Sequence, residues 1–365
     1  MTTPLDLTRS TAKGAAARLD RVVQDFVDVL GNLGVVVSLS LPGSDMISFT
    51  AGFADREKAS PVSAEHRFQI GSQTKTFVAV TMFLLDRADV LDLDRPVTEY
   101  VDLPIDPRIT SRHLIMNMSG LGEFTKAFPV GLLDPRIGYS SRDLVALALP
   151  QGQLFSPGEH FDYCNTGWII AGLIIEKLCE RPFGEVIGDM ICAPLGLSET
   201  SFTSDYSTED MLKGYIVTPV SPDPIDVSGY LDWANAAGNG ISTMRDIVAF
   251  YRSFNAPQSP IGVSLADLTR QLGRPSADPH FALSVGTEYG LGIERRAWAG
   301  REVWGHPGST LAYLTSTWID SELDIAVATC VTREMSPVAG TSDLRYPRDQ
   351  LFAMALATAY ALADR

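Results

Sequence analysis

The sequence predicts an α+β fold: one antiparallel sheet flanked by the helices of the two chain ends, with an all-helical insertion between them. Three observations carry this. Strand patterns occur near the two ends of the chain, between residues 35 and 52 and between 302 and 332. From 97 to about 250 the patterns are helical, joined by long loops, and a helical pattern both opens and closes the chain. Strands so far apart in sequence bury their apolar faces by meeting in one sheet. The expected division is 1–95 with 255–365 for the sheet part and 96–254 for the helical part, interleaved as one unit.

From about Thr11 to Leu33 the residues Leu19, Val22, Val23, Phe26, Val27 and Leu30 recur at helical spacing, and Gly31 and Gly34 end the run. Val35 to Leu41 and Ile47 to Gly52, joined by Pro42-Gly43-Ser44-Asp45, read as a β-hairpin. Phe68 then delivers the chain into a helix that continues as an apolar run from Phe77 to Leu85, free of Gly and Pro, which marks it as buried. Helical patterns follow at Ser140–Ala148, Thr166–Glu180, Phe183–Ala193 and Thr243–Phe254. Strands return at Glu302–Gly305, Leu311–Ile319 and Leu323–Thr332, and a last helix runs from about Arg348 to Ala363. The segment Trp304-Gly305-His306-Pro307-Gly308-Ser309-Thr310 reads as a turn-rich break before an apolar strand.

At 365 residues, 45% hydrophobic and 20% charged, the chain can bury a large core. A formal net charge of -15 argues against nucleic acid or an anionic membrane surface as a partner, since both demand clustered Lys and Arg. The first ten residues lack the apolar core of a signal peptide, and no apolar run reaches membrane-spanning length, so the expected location is cytoplasmic. Cys164, Cys179, Cys192 and Cys330 form no C-x-x-C pair and are expected as buried thiols. The histidines His66, His113, His160, His280 and His306 lack metal-ligand spacing, so no metal is expected. Gly238-Asn239-Gly240 and Gly290-Leu291-Gly292 lack the setting of a dinucleotide site, and no cofactor is expected. Gly-x-Ser-x-Gly is absent, which removes the nucleophile-elbow hydrolases.

The chemistry concentrates at Ser72-Gln73-Thr74-Lys75. Three apart on a helix, the hydroxyl and the amine are neighbours. Burial disfavours an ammonium, which prepares an amine to take a proton from a serine near neutral pH. Ser72 also falls in the first helical turn, where the dipole favours a developing alkoxide. The same spacing recurs at Ser10-Thr11-Ala12-Lys13, but that copy opens a charge-rich amphipathic segment, so Ser10 reads as an N-cap and Lys13 as solvated. Tyr163 and Asn165, in Phe161-Asp162-Tyr163-Cys164-Asn165, project the same way from an extended segment. From that segment alone Tyr163 reads rather as a half-buried core aromatic with a satisfied hydroxyl, and a lone His306 is usually structural.

Ser72-Gln73-Thr74-Lys75, Tyr163-Cys164-Asn165 and His306-Pro307-Gly308, in this order, resemble the three motifs of the penicillin-recognising serine enzymes: class C β-lactamases, D-alanyl-D-alanine carboxypeptidases, D-amino-acid amidases and β-lactamase-like esterases. Leu114-Ile115-Met116-Asn117-Met118-Ser119-Gly120-Leu121 and Ala236-Ala237-Gly238-Asn239-Gly240-Ile241-Ser242-Thr243 are similar to two further landmarks of the family. The resemblance spans about residues 20 to 360 and is closest to the D-amino-acid amidase branch, where His replaces the Lys of the strand motif. It implies a β-lactamase/DD-peptidase-like fold with the active site between the two parts. It further implies Ser72 as nucleophile, Lys75 as proton acceptor and Tyr163 as the relay to the leaving group and activator of the deacylating water. Asn165 would orient Lys75 or the substrate amide. His306 and Gly308 would border the substrate, and the backbone N–H groups of Ser72 and Ser309 would form the oxyanion hole. The sequence departs from the family pattern at Asn117, where the landmark has His, and at His306-Pro307-Gly308 in place of Lys-Thr-Gly.

The resulting reading is a soluble serine hydrolase that forms an acyl-Ser72 intermediate on amide or ester bonds of small molecules or short D-configured peptides. Open alternatives are an acyltransferase or thioesterase of the same fold, a non-turnover β-lactam-binding module and a degenerate structural member. A histidine of ordinary pKa, about 6.5, at position 306 would be mostly neutral at pH 7.5 and would gain charge toward pH 6. The expected preference is thus for uncharged amides and esters, narrowing as the pH falls.

Overall fold

The computed structural model describes residues 12–58, 60–127, 138–203, 207–218, 221–231, 233–273, 288–298, 300–335 and 345–364. Ser10, the expected N-cap, lies outside them. The principal elements are α1 (Ala12–Asp28), β1 (Gly34–Ser40), β2 (Ile47–Asp55), β3 (Ser60–Pro61), α2 (Thr74–Arg87), α3 (Asn165–Cys179) and α4 (Met244–Ser253), followed by β4 (Glu288–Tyr289), β5 (Glu294–Trp298), β6 (Arg301–Ser309), β7 (Tyr313–Asp320), β8 (Ile325–Thr332) and α5 (Arg345–Ala363). The eight strands form one sheet in the order β3-β2-β1-β8-β7-β6-β5-β4, and every pairing in it is antiparallel. The junction of the two chain ends is the pairing of β1 with β8, Gly34 opposite Thr332 and Ser40 opposite Ala326.

All seven residues of β1 are buried, because helices cover both faces of the sheet. On the outer face α1 and α5 lay Leu19, Val23, Phe26, Leu351, Phe352 and Leu356 over Val35, Val37, Leu314, Trp318 and Val327. On the inner face α2 is apolar nearly all round and packs within the larger core cluster. Helix α4, in the stretch the sequence assigns to the insertion, packs on β7 and β8 and stacks Phe250 on Phe77 of α2 at 3.5 Å between ring centroids. The amphipathic helix ends at Asp28, so Leu30, read as part of its apolar face, is 54% exposed.

Two other differences remain, the first of them at the site. The His306-Pro307-Gly308 segment is not a break but the last part of β6, with His306 opposite Thr317 and Gly308 opposite Thr315. Its neighbour β5 pairs with β6 only as far as Gly305, so the other edge of 306–309 is free for the Ser72 segment, and Pro307 disrupts nothing there. Cys164, Cys192 and Cys330 are buried, whereas Cys179 is partly exposed, and all four are free thiols. Among the described residues no helix is long and apolar enough to cross a membrane.

Candidate active site

Ser72 occupies a short 3-10 turn (Gly71–Gln73) that runs directly into α2. One turn on, Lys75 is completely buried, with its Nζ donating to Ser72 Oγ at 3.1 Å, Asn165 Oδ1 at 2.8 Å and the Ala237 carbonyl at 2.6 Å. The same nitrogen lies 4.9 Å from the ring centroid of Tyr163 and 5.9 Å from that of Trp168. Desolvation brings the Lys75 pKa down from 10.5 to about 7, against the opposing pull of Glu123, Cys164 and Glu294. An amine poised there exchanges a proton with a hydroxyl at neutral pH, whereas an exposed lysine stays charged. Lys13, the counterpart in the other Ser-x-x-Lys copy, is exposed.

Tyr163 is half-buried beside Ser72. Burial pushes its phenol well above the ordinary tyrosine range, and the interaction with Ser72 only partly opposes this. It is therefore a neutral donor and acceptor and not a phenolate base. Its segment is clamped by Asn117, whose backbone adopts the left-handed region (φ 55°) that Asn tolerates. Asn117 Oδ1 accepts from Trp168 Nε1 at 2.9 Å and from the Cys164 N–H at 3.2 Å, and its carbonyl accepts from the Asp162 N–H at 2.8 Å. The family landmark is thus occupied here by a side chain that fixes the backbone on both sides of Tyr163.

Asn165 opens α3 and faces Lys75. Behind it stands Glu123, buried and absent from the sequence-derived site. Its Oε2 accepts from the Asn165 backbone N–H at 2.5 Å and its Oε1 from Asn165 Nδ2 at 3.4 Å. The available sequence signal is a single acid between Leu121 and Phe124, inside an otherwise apolar stretch.

The opposite wall is β6. Gly308 packs so closely that a Cβ would lie 2.0 Å from the Ile70 carbonyl oxygen, and Gly71, at φ +54°, would put a Cβ 2.8 Å from the Ser309 backbone nitrogen. The contact is pinned by Gln73 Nε2 donating to Thr315 Oγ1 at 2.8 Å, Thr315 Oγ1 donating to the Ile70 carbonyl at 3.0 Å and Thr310 Oγ1 donating to Gln69 Oε1 at 2.7 Å. The Ser309 N–H consequently lies against the turn that carries Ser72, and Ser309 itself is exposed.

His306 differs from its expectation. The imidazole is fully buried, with Nδ1 2.6 Å from the Pro307 carbonyl and Nε2 3.0 Å from the Tyr289 hydroxyl. A carbonyl only accepts, so Nδ1 carries the proton and Tyr289 donates to Nε2. Burial first, and then the charge of Lys75, lowers its pKa to about 3. The ring therefore neither titrates toward pH 6 nor offers a free nitrogen to a substrate carboxylate. Tyr289, its buried partner, was not foreseen; nothing in its local sequence distinguishes it from a core aromatic.

A family model described as Beta-lactamase matches residues 19–352. A D-aminopeptidase of Brucella anthropi is 25% identical over 287 residues, 78% of this chain and 53% of its own length. Esterase EstB of Burkholderia gladioli is 28% identical over 211 residues, 53% of this chain and 53% of its own. The chain spans about half the length of these curated relatives. The D-amino acid amidase from Ochrobactrum anthropi SV3, solved with L-phenylalanine amide, matches with a TM-score of 0.80 at 25% identity, covering 94% of this chain and 98% of that one. The octameric penicillin-binding protein homologue from Pyrococcus abyssi has the same fold, with a TM-score of 0.79 at 24% identity over 94% of this chain and 76% of that one.

Proposed function

The chain belongs to the beta-lactamase family, and on that premise we propose that it is a serine hydrolase that cleaves amide or ester bonds of small molecules or short D-configured peptides through an acyl-Ser72 intermediate. The observation that carries this is the 3.1 Å contact between Ser72 Oγ and the Nζ of a fully buried lysine whose pKa is about 7. Near neutral pH a large fraction of Lys75 is the free amine. It takes the Ser72 proton as Oγ bonds to the substrate carbonyl carbon. The electron pair moves to the carbonyl oxygen, which the N–H groups of Ser72 and Ser309 receive; the close approach of Gly71 to Ser309 supports this pairing. The tetrahedral centre collapses with cleavage of the bond to the amine or alcohol, which accepts a proton from the Tyr163 hydroxyl while Tyr163 is resupplied from Lys75. The high pKa of Tyr163 suits a relay that never rests as phenolate. Water, deprotonated through the same pair, then releases the acyl group and regenerates Ser72.

The substrate class rests on the D-aminopeptidase and D-amino acid amidase likenesses, on the esterase likeness, and on the neutral state of His306. A panel of D- and L-amino-acid amides, nitrophenyl esters, a cephalosporin and an acyl thioester tests it. Intact-protein mass should reveal an adduct that maps to Ser72 and disappears in Ser72→Ala, with product release on D-amino-acid amides or on esters. An adduct that survives Ser72→Ala, or that maps elsewhere, refutes the proposed nucleophile. A stable cephalosporin adduct without turnover of any donor would replace hydrolysis by capture.

A further inference from the structure

We propose that Glu123 is a positioning residue for the acylation of Ser72: it anchors the first residue of α3 and holds the Asn165 amide with its oxygen on Lys75. The inference rests on the acyl-Ser72 reading above.

Asn165 has an amide that can face either way, and its orientation decides whether Lys75 meets an acceptor or a donor. Glu123 removes the ambiguity. Its carboxylate is acceptor-only, so the Nδ2 group turns toward it, 3.4 Å from Oε1, and Oδ1 is left for Lys75 at 2.8 Å. The backbone of Asn165 is held by the same carboxylate through Oε2 at 2.5 Å. Residue 164, at the N-cap of α3, makes no side-chain cap, so Glu123 caps the helix from outside it, at the end where the dipole favours an anion. Glu123 is itself fixed. Its Oε1 accepts from the Thr125 N–H at 2.9 Å, its own N–H donates to Gln151 Oε1 at 3.2 Å and its carbonyl accepts from Gln151 Nε2 at 2.9 Å.

The charge has a second consequence. The groups that act on Lys75 are Glu123, Cys164 and Glu294, with Tyr163 and His306 also against it from the α3 approach and β6. Burial holds the Cys164 thiol protonated, Tyr163 and His306 are neutral, and Glu294 is engaged by Arg296 at 3.1 Å. Glu123 is then the anion that most favours the ammonium form of Lys75. Removing its charge makes the free amine available at lower pH, while removing its hydrogen bonds lets Asn165 turn.

The test is the rate at which a fluorophosphonate labels Ser72 in the full chain as a function of pH. Wild type should show an acidic limb set by Lys75. Glu123→Gln should move the midpoint of that limb down by about one unit, as for loss of an opposite charge within a few ångström. Glu123→Asp, which keeps the charge and shortens the reach, should keep the midpoint and slow labelling about tenfold or more. A carboxylate that only caps α3 would lower the thermal midpoint of Glu123→Asp and leave its labelling rate unchanged, whatever the loss of charge in Glu123→Gln does to the limb; that outcome overturns the proposal, and Glu123→Asp decides it even where Glu123→Gln does not fold. Failure of wild type to label at Ser72 refutes the acyl-enzyme reading and this inference with it. It is read before any variant is made, so the two failures are distinct.

Discussion

Replacing Lys75 by Met should change the stability of the protein in a way that depends on pH, without any reference to activity. The lysine pKa falls from 10.5 to about 7 on folding, so the unfolded chain binds this proton between those values and the folded chain does not. A depressed lysine pKa is a stability penalty that is fully present below pH 7 and relieved as the pH rises toward 10.5. Its size is about 5 kcal/mol, from about 1.4 kcal/mol per pKa unit. Methionine fills a similar volume with no charge to desolvate, but it leaves the Asn165 Oδ1 and Ala237 carbonyl acceptors without their donor. That loss costs about 1–3 kcal/mol per buried acceptor and offsets part or all of the gain. The orphaned acceptors do not titrate, so the pH dependence of the difference isolates the lysine. Between about pH 7.5 and 9.5 the stability of Lys75→Met relative to wild type should fall by about 1.4 kcal/mol per pH unit, roughly 3 kcal/mol in all. Urea denaturation of both proteins at several pH values measures it, and titrations common to the two cancel. A difference that stays constant across that window would refute the displaced pKa, and with it the argument that Lys75 can serve as the base.

Three other outcomes follow from the same geometry. Gly308→Ala must push β6 from the 69–71 segment, since its Cβ would lie 2.0 Å from a backbone oxygen; a displacement of about 1 Å at the Ser309 N–H should slow acylation roughly a hundredfold, and an unchanged acylation rate would show that this N–H is not needed. Lys75→Ala and Tyr163→Phe should each lower acylation or deacylation by about 10²- to 10⁴-fold, and together by far less than the product; multiplicative losses in pre-steady-state kinetics would mean that they act in separate steps. Because His306 is held neutral, with a pKa of about 3, the ratio of kcat/KM for a peptide ending in an amide to that for the same peptide ending in a free carboxylate should stay level from about pH 5.5 to 8. A ratio that changes with a midpoint near 6 would restore a titrating His306.

Much of the site was legible because its chemistry is local. Ser72 and Lys75 are one helical turn apart, the apolar run from Phe77 to Leu85 announces their burial, and Tyr163 and Asn165 bracket a helix start. What was illegible came from distance in sequence. Glu123 reaches Asn165 across 42 positions, the Ala237 carbonyl reaches Lys75 across 162, and Tyr289 reaches His306 from a different strand. The His306 segment reads as a break because proline and glycine usually interrupt strands; here the missing N–H falls where β5 has already ended, and the missing Cβ is what lets β6 touch the turn that carries Ser72.

By itself the sequence determined the main helices and five of the eight strands of the sheet, the meeting of the two chain ends in that sheet and the residues that supply a hydroxyl, an amine, a phenol and an amide. Those follow from side-chain periodicity and from spacings of a few residues; the strands Ser60–Pro61, Glu288–Tyr289 and Glu294–Trp298 were not read. The burial of Lys75, and with it a lowered amine pKa, was already readable from its apolar helix, whereas the states of Tyr163 and His306 were decided by the tertiary structure. Lys75 is a candidate base, Tyr163 a neutral phenol and His306 an inert, hydrogen-bonded ring because of how much water each has lost and which charges stand nearby. Desolvation is a property of everything packed around a group, and here that packing is contributed by β6, α2, α3 and the loops at 117–123 and 235–240 together, which no window of the sequence contains.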